Sequence, residues 1–408
     1  MKTLDISRIG EALQGLPAVP RVVVTGNFGT PWTILGAIDA TLPTYRLYTL
    51  NPQKGVPDRE GVILETSFVG PGMRKNPRLV YYPSRLSLVP RLFGSTLPPD
   101  VVVLHTSTPK DGTVSLGLEI NILPAAIEAA RARGGRVIVQ MNPRMPYTYG
   151  DAVIKLEDVD YAFEVDEPLS THAIAPLDDT SLSIGAAAAS RIVDGSSLQL
   201  GIGAVPDAVL HGLTERRGLK VWSEMFSDGV LALERKGCMD PETPLTCSFI
   251  FGSDELYSWV DNNPRVLLLR SETTNDPANI SARPLMTSIN TALQIDLFAQ
   301  ANASRIKARI HSGFGGQTDF IVGALHSKGG QSLMALRSWH PKANVSTIVP
   351  LVDEPVTSFQ PSAIVTEQGT AQIYGLDEKT QAANIITNAA HPSVREELWE
   401  EAGGLGLV

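Results

Sequence analysis

The sequence predicts an α/β protein made of two related domains, each a mostly parallel sheet covered by helices. Apolar segments of strand length alternate with amphipathic segments of helix length, which is typical of parallel sheets with helical crossovers. One block also occurs twice, because residues 26–38 align without a gap on residues 201–213. A chain of 408 residues is long for a single core. We therefore expect an N-terminal domain over 1–185 and a C-terminal domain over 186–408.

The first half begins with a strand at 22–25, a glycine turn and a helix. Pro31 falls in the first turn of that helix, where the missing N–H of proline has no structural cost. The other predicted elements of this half are strands at 45–50, 79–82, 101–105 and 136–141 and a helix at 121–133.

The second half repeats this scheme from a strand at 198–200 onward. Its further predicted strands are at 220–223, 246–251, 265–269, 332–336, 347–351 and 363–366, and its helices are at 208–217, 231–236, 379–390 and 394–402. The boundary between the halves is expected near 175–196, where a Pro- and Asp-containing stretch meets an alanine-rich helix.

Composition and charge exclude several classes of protein. A net charge of −9 argues against nucleic-acid binding, which depends on Lys and Arg neutralising phosphates. No apolar run approaches the ~20 residues of a membrane span, and Asp5 and Glu11 interrupt the region where a signal peptide needs an apolar core. We expect a cytoplasmic protein without a membrane partner, whose thiols, Cys238 and Cys247, are reduced.

Two further kinds of site lack a sequence motif. The seven histidines form neither H-x-x-x-H nor H-E-x-x-H, so no metal site is expected. Gly-x-Ser-x-Gly is absent, which argues against a serine-hydrolase elbow.

Glu224 is the strongest candidate for a catalytic residue. It lies in the segment Ser-Glu-Met-Phe-Ser-Asp-Gly (223–229), directly after an apolar run, which predicts a carboxylate presented at a strand end. A lone Glu is usually solvated or salt-bridged. Here Trp222, Met225 and Phe226 would exclude water from one side, and Ser223 and Ser227 could orient the carboxylate.

The glycine loop at 201–206 imitates a dinucleotide-binding motif, but Pro206 replaces the third glycine. That glycine allows close helix–strand packing, so its loss argues against an NAD site. The amides of such a loop can bind an anion or a thioester carbonyl, and the alternative is an ordinary tight turn. A second segment, 312–320, has three glycines within four residues. It is either a turn or bulge, or a loop that approaches a reacting group closely.

The Glu224 segment and the glycine loop at 201–206, together with seven blocks, resemble the acetyl-CoA hydrolase/transferase family. That branch of the coenzyme A transferases includes 4-hydroxybutyrate and butyryl-CoA:acetate CoA-transferases. The blocks follow the family order at 107–117, 142–146, 274–277, 289–296, 312–320, 327–330 and 365–369.

The resemblance implies a CoA-transferase-like fold with the active site between the two domains, and Glu224 as the nucleophile that becomes a glutamyl-CoA thioester. It also implies a homodimer, with acyl-CoA and a small carboxylic acid as substrates and no permanently bound cofactor. The residues implied to bind CoA or its thioester are Gly201, Ile202, Gly203, Ala204, Val205, Asn290, Gly313, Gly315 and Gly316. Lys328 and Lys342 are weaker candidates for binding the CoA phosphates. The alternatives are an acyl-CoA hydrolase on the same scaffold and a non-catalytic or isomerase-type protein.

A few positions depart from the family pattern. Val322 stands where an arginine is usual, residues 372–375 replace a Leu-Arg-Gly, and Ser338-Trp339 replaces a Ser-Thr pair. Since arginine is the usual clamp for a second carboxylate, these departures favour a short or medium monocarboxylic acyl group.

Overall fold

A computed structural model describes residues 1–172 and 176–408. The chain forms two compact units, and each consists of several separate stretches of sequence. Unit 1 comprises Met1–Ala173, Pro244–Thr274 and Ile310–Gly315, and unit 2 comprises Ile174–Thr243, Asn275–Arg309 and Gly316–Val408. Residue 175, at one end of the predicted boundary region, lies outside the described residues.

Unit 1 is built on an eight-stranded sheet in which all neighbouring strands are parallel. In spatial order the strands are Lys2–Thr3, Tyr161–Glu164, Arg136–Met141, Val101–Thr106, Arg21–Val24, Tyr45–Tyr48, Val62–Thr66 and Leu79–Tyr81. The central strand Val101–Thr106 is buried at every position, as expected for a strand covered on both faces.

The α-helices of unit 1 are Ile9–Leu13, Trp32–Thr41, Val89–Phe93, Leu123–Ala132, Asp254–Val260 and Ser271–Thr274. A smaller parallel sheet joins Leu245–Cys247, Val266–Leu268 and Tyr149–Gly150, and Thr113–Ser115 pairs antiparallel with Val153–Lys155. The strand predicted at 246–251 is therefore two short strands, the second being Phe249–Ile250. It and the strand predicted at 265–269 belong to unit 1, because an apolar run specifies a strand but not its sheet.

Unit 2 is built on a six-stranded sheet. Its order is Lys220–Val221, Ser197–Gln199, Met286–Asn290, Gln331–Ala335, Ala363–Thr366 and Gly369–Gln372, and all pairs are parallel except the last, an antiparallel hairpin. Its α-helices are Asp179–Ser190, Ala204–His211, Asp228–Arg235, Pro277–Ser281, Gln317–His326, Glu378–Asn384 and Arg395–Gly404. Its short strands include Met225–Phe226, Gln294–Asp296, Ala301–Asn302, Trp339–His340, Val345–Ser346 and Ile348–Val349.

The two copies of the repeated block have the same local structure. In each, a strand of a parallel sheet runs through a glycine turn into a helix, which is Trp32–Thr41 in the first copy and Ala204–His211 in the second. The second helix begins four residues before its predicted start at 208. Pro206 is tolerated inside its first turn because the N–H groups there have no intrahelical partner.

The mostly parallel sheets flanked by helices confirm the predicted fold class. Within residues 1–172 and 176–408, no helix combines the length and the apolar character needed to cross a membrane.

Candidate active site

The carboxyl edge of the unit 2 sheet brings several of the predicted residues together. Strands Ser197–Gln199, Lys220–Val221 and Met286–Asn290 are parallel, so their carboxyl ends lie at one edge. The glycine loop follows the first of these strands, Glu224 follows the second, and Asn290 ends the third. Open α/β sheets hold their ligands at this edge.

The carboxylate of Glu224 receives two hydrogen bonds. Asn275 Nδ2 donates to Glu224 Oε2 at 3.0 Å, and the backbone N–H of Gly316 also donates to this carboxylate. Asn275 is fully buried and precedes helix Pro277–Ser281, while Gly316 is the residue before helix Gln317–His326. The start of each helix therefore supplies one donor.

Burial dominates the electrostatics of this group. Glu224 is partly buried as a residue, and loss of water around its carboxyl group is the largest cause that raises its pKa from 4.5 to about 7, with the nearby negative charge of Asp319 adding to the rise. The hydrogen bonds from Asn275 and Gly316 lower the pKa and offset part of the rise. Near neutral pH the carboxyl group is consequently divided between its protonated and ionised forms, and ionising it in the fold costs roughly 3 kcal/mol more than in water.

Gly316 and Gly203, one from each loop, are required for different physical reasons. At Gly316, φ is −95°, which any residue can adopt, but a Cβ would overlap both Glu224 Oε2 and Asn275 Nδ2. At Gly203, φ is +120° and the space around a Cβ is open, so the constraint is the backbone conformation. Gly316 is thus required for close approach to Glu224, whereas Gly203 is required by the turn.

Gly313 and Gly315 belong to unit 1, where they pack on the segment Ser67-Phe68. A Cβ at Gly313 would lie 2.6 Å from the Ser67 carbonyl oxygen, and one at Gly315 would lie 3.1 Å from Phe68 Cε2. This packing within unit 1 explains why both positions are glycine. The contact of these glycines with a thioester stays a prediction.

The hydroxyls of the two serines that flank Glu224 bond with neighbouring groups of unit 2. Ser223 Oγ bonds with the backbone of Leu200 and Met225, and Ser227 Oγ donates to Asp207 Oδ1 at 3.4 Å. The two hydroxyls hold the chain on either side of Glu224, and orientation of the carboxylate by these serines stays a prediction.

Asn290 forms a buried amide pair with Gln199 on the adjacent strand. Asn290 Nδ2 donates to Gln199 Oε1 at 3.1 Å, and Gln199 Nε2 donates to Asn290 Oδ1 at 3.5 Å. The pair connects the end of one strand to the residue two before Gly201, so Asn290 supports the glycine loop from the side.

A cavity of about 400 Å³ adjoins the glycine loop on the same edge of the sheet. Its cationic or potentially cationic lining residues are Arg337, His340 and Lys342. Arg337 is engaged by Asp178, to which its guanidinium donates. Lys328 is exposed and is not part of the lining. The full lining is Ile202, Gly203, Ala204, Val205, Pro206, Thr291, Ala292, Leu293, Leu336, Arg337, His340, Pro341, Lys342 and Thr347.

Comparison with known proteins identifies the family. The model of the acetyl-CoA hydrolase/transferase N-terminal domain matches residues 62–172, and that of the C-terminal domain matches residues 252–402. The 4-hydroxybutyrate coenzyme A transferase of Clostridium kluyveri is 38% identical over 336 residues, which cover 79% of this chain and 77% of that protein. The chain belongs to the acetyl-CoA hydrolase/transferase family.

Other members of the family extend this likeness. The succinyl-CoA:acetate/propanoyl-CoA:succinate CoA transferase of Fasciola hepatica is 32% identical over 407 residues, covering 93% of this chain and 84% of that protein. An acetyl-CoA hydrolase of Saccharomyces cerevisiae is 32% identical over 214 residues, covering 50% and 39%.

Solved structures show the same fold. RipA from Yersinia pestis has a TM-score of 0.92 at 27% identity, covering 100% of this chain and 98% of that one. The 4-hydroxybutyrate CoA-transferase of Porphyromonas gingivalis has a TM-score of 0.83 at 31% identity, covering 99% and 98%. The predicted family, fold and enzyme class, a CoA-transferase, are confirmed.

The two family models do not cover Glu224 or the glycine loop, so the roles of these residues are argued from geometry. Glu224 and the glycine loop lie between the two matched stretches, while Asn275, Asn290 and Gly316 lie within the C-terminal one. Sequence reasoning missed Asn275, Asp319 and Gln199 as neighbours of the predicted residues. Asn275 lies in the family block 274–277, but its position in the sequence does not reveal a contact with the carboxylate of Glu224, 51 positions away.

Metal binding has no support in the described parts of the chain. Among residues 1–172 and 176–408, no group of three or more His, Cys, Asp or Glu side chains is placed to hold an ion. Cys238 and Cys247 are buried thiols that form no disulfide.

Gly316→Ala should reduce the enzymatic rate by about 10- to 100-fold, because the added methyl group displaces the carboxylate or its amide donor. Gly404→Ala is the matched control, since a Cβ there meets no atom within 4 Å. Initial rates and melting temperatures of both variants are the measurement. A Gly316→Ala enzyme as fast as the wild type would show that Glu224 tolerates the displacement.

Glu224→Gln should stabilise the fold at about pH 8 by roughly 1–3 kcal/mol, because the amide carries no charge to desolvate. The folded-state pKa of about 7 exceeds the ordinary glutamate pKa of 4.5, so the folded chain binds more protons than the unfolded chain between these values. The destabilisation in the wild type is therefore complete above about pH 7 and absent below about pH 4.5. Urea unfolding across this range should show the gain shrinking as pH falls, and a gain independent of pH would contradict the assignment.

Proposed function

We propose that the protein moves CoA between an acyl-CoA and a small carboxylic acid through a covalent glutamyl-CoA thioester on Glu224. The observation that carries this proposal is a carboxylate that is desolvated, has a raised pKa and still accepts hydrogen bonds from Asn275 and Gly316. A carboxylate poor in water is a stronger nucleophile than a solvated one, and its position at the carboxyl edge of the sheet adjoins the glycine loop.

The first half-reaction has two steps. A Glu224 oxygen attacks the acyl carbonyl carbon, the C–S bond breaks, and CoA departs as the thiolate, so that the acyl group stays on Glu224 as a mixed anhydride. The thiolate then attacks the glutamyl carbonyl carbon, and the C–O bond to the acyl group breaks to release the free carboxylate. An acceptor carboxylate reverses both steps and leaves as the new acyl-CoA, so the kinetics are ping-pong.

The two donors to Glu224 also suit the second step. When the thiolate attacks the glutamyl carbon, negative charge develops on the oxygen that stays bound to that carbon. Asn275 Nδ2 and the Gly316 N–H already point at this carboxyl group, so they are in place to stabilise the developing oxyanion. Because both are fixed by helix starts, little reorganisation is needed during the reaction.

We assign the cavity beside the glycine loop to part of the CoA molecule. It combines the bare backbone of Gly203 with the apolar side chains of Ile202 and Leu336 and the cation of Lys342. This mixture fits a long, partly apolar chain that ends in phosphates. For the acyl group we keep the preference for a short or medium monocarboxylic acid, as in relatives named for 4-hydroxybutyrate and butyrate.

Hydrolysis of acyl-CoA is the second candidate, because several relatives are named acetyl-CoA hydrolases. The same thioester would form, and water would replace the acceptor acid. Release of free thiol, measured with and without an added carboxylic acid, separates the two activities. The homodimer implied by the resemblance and the cytoplasmic location predicted from the sequence stay predictions.

The enzyme mixed with acyl-CoA and no acceptor should gain the mass of CoA less water. Peptide mapping should place this gain on the peptide that contains Ser223 to Gly229. Hydroxylamine should remove it, and a short-chain carboxylate should discharge it while a new acyl-CoA forms. Intact-mass spectrometry makes the measurement.

The control is Glu224→Gln, whose isosteric amide cannot form the anhydride, and it should show neither adduct nor transfer. Thiol release that proceeds without an adduct and is indifferent to added acids would reject the transferase and favour the hydrolase.

Lys342→Ala should raise KM for acyl-CoA several-fold with little change in kcat, since a phosphate contact contributes equally to ground-state and transition-state binding. The effect should vanish with an acyl-pantetheine substrate, which has no phosphates. Lys328→Ala is the matched control because Lys328 lies outside the cavity lining. Equal effects of both variants, or an effect retained with acyl-pantetheine, would remove Lys342 from phosphate binding.

A further inference from the structure

The hydroxyl of Ser223 uses all of its hydrogen-bonding capacity on backbone groups. Its Oγ accepts from the N–H of Leu200 at 3.1 Å and from the N–H of Met225 at 3.3 Å, and it donates to the Leu200 carbonyl oxygen at 3.3 Å. A serine hydroxyl has one proton and two lone pairs, so these three bonds saturate it. The side chain is fully buried, which excludes water as an alternative partner.

These bonds connect two parts of the proposed active site. Leu200 immediately precedes Gly201, the first residue of the glycine loop, and Met225 immediately follows Glu224. The hydroxyl of Ser223 is therefore a direct link between the loop assigned to CoA and the turn that carries the nucleophile.

The backbone pairing of the chain changes at Glu224. Up to Trp222 the chain follows the parallel ladder, where the Trp222 N–H donates to the Leu198 carbonyl oxygen at 3.1 Å. At Met225 the relation has reversed, because Leu200 and Met225 form an antiparallel bridge. The change from parallel to antiparallel pairing takes place at Ser223 and Glu224. The side chain of Ser223 bonds to both residues of the antiparallel bridge, Leu200 and Met225.

We propose that Ser223 is a positioning residue for the reaction, which sets the distance between the glycine loop and the Glu224 carboxylate through its three backbone hydrogen bonds. This inference rests on the proposed function, since it concerns the approach of a CoA thioester to that carboxylate. Ser223 takes no part in bond making. It keeps the reacting atoms within the narrow range of distances that covalent catalysis requires.

Removing the hydroxyl should displace both backbone segments. Without it, the N–H groups of Leu200 and Met225 lose a buried acceptor, and buried amides seek another partner because leaving them unpaired is unfavourable. Either segment can shift to do so. A displacement of about 1 Å at a reacting group can reduce the rate about 100-fold.

The same sheet offers a matched control. Ser332 is fully buried on strand Gln331–Ala335, and its Oγ has no hydrogen-bond partner. Ser332→Ala therefore makes the same chemical change at the same burial without removing a bond. Ser223→Thr retains the hydroxyl and adds a methyl group.

The experiment compares Ser223→Ala, Ser223→Thr, Ser332→Ala and the wild type by the single-turnover rate of CoA adduct formation. It adds steady-state kcat and KM, the pH profile of adduct formation and the melting temperature. Ser223→Ala should form the adduct about 10- to 100-fold more slowly, mostly through kcat, well below its melting temperature. The acid limb of its pH profile should move to lower pH as the displaced carboxyl group regains water. Ser223→Thr should recover most of the rate, and Ser332→Ala should match the wild type.

Each contrary result overturns a distinct claim. A wild-type enzyme that forms no adduct removes the proposed function, and this inference falls with it. A wild-type enzyme that forms the adduct while Ser223→Ala forms it equally fast and with the same pH profile overturns the role of Ser223 alone. The same holds if Ser223→Ala lowers only the melting temperature, or if a folded Ser223→Thr is as slow as Ser223→Ala.

Discussion

A carboxylate that acts as a nucleophile must be shielded from water and yet be able to ionise, and the unit 2 site is organised around this conflict. Burial alone would keep Glu224 protonated, because desolvation is the largest influence on its pKa. The hydrogen bonds from Asn275 and Gly316 offset part of that effect and hold the pKa at about 7. The group is therefore ionisable at neutral pH while remaining poorly hydrated, and these two donors are the contacts on which the proposed chemistry depends.

The fold sets the separation of these donors through the packing of two helices. Asn275 leads into Pro277–Ser281 and Gly316 leads into Gln317–His326. The two helices approach closely at Gly323, where a Cβ would lie 2.5 Å from Ile280 Cβ and 3.2 Å from the Pro277 carbonyl oxygen. A glycine inside a helix usually lowers helix stability, so its use here reflects the required contact. The packing distance of the pair fixes where both donors reach Glu224.

Local features of the sequence predicted much of the fold but only part of the site. Strand 136–141 and strand 363–366 have the predicted bounds, and the repeated block correctly indicated two glycine turns at strand ends. Periodicity could not show that residues 244–274 pack in unit 1, because it describes burial and not the partner sheet. Nor could it pair Asn275 with Glu224, since a contact across 51 positions leaves no local pattern. The position of Glu224 was predictable from sequence, and its hydrogen-bond donors were not.

Transfer and hydrolysis share every group described at this site, so the nucleophile does not distinguish them. In the proposed mechanism, the glutamyl-CoA thioester reacts with whichever oxygen nucleophile reaches its carbonyl carbon, and water is the more abundant competitor. Met225 and Phe226 are buried on one side of Glu224 in the sequence, and on the other the ring of Trp222 is covered by the Arg283 guanidinium at 3.8 Å. Burial of these side chains limits the access of water to the turn that carries Glu224. In the proposed mechanism, the balance between transfer and hydrolysis therefore depends on how well the packing around Glu224 excludes water.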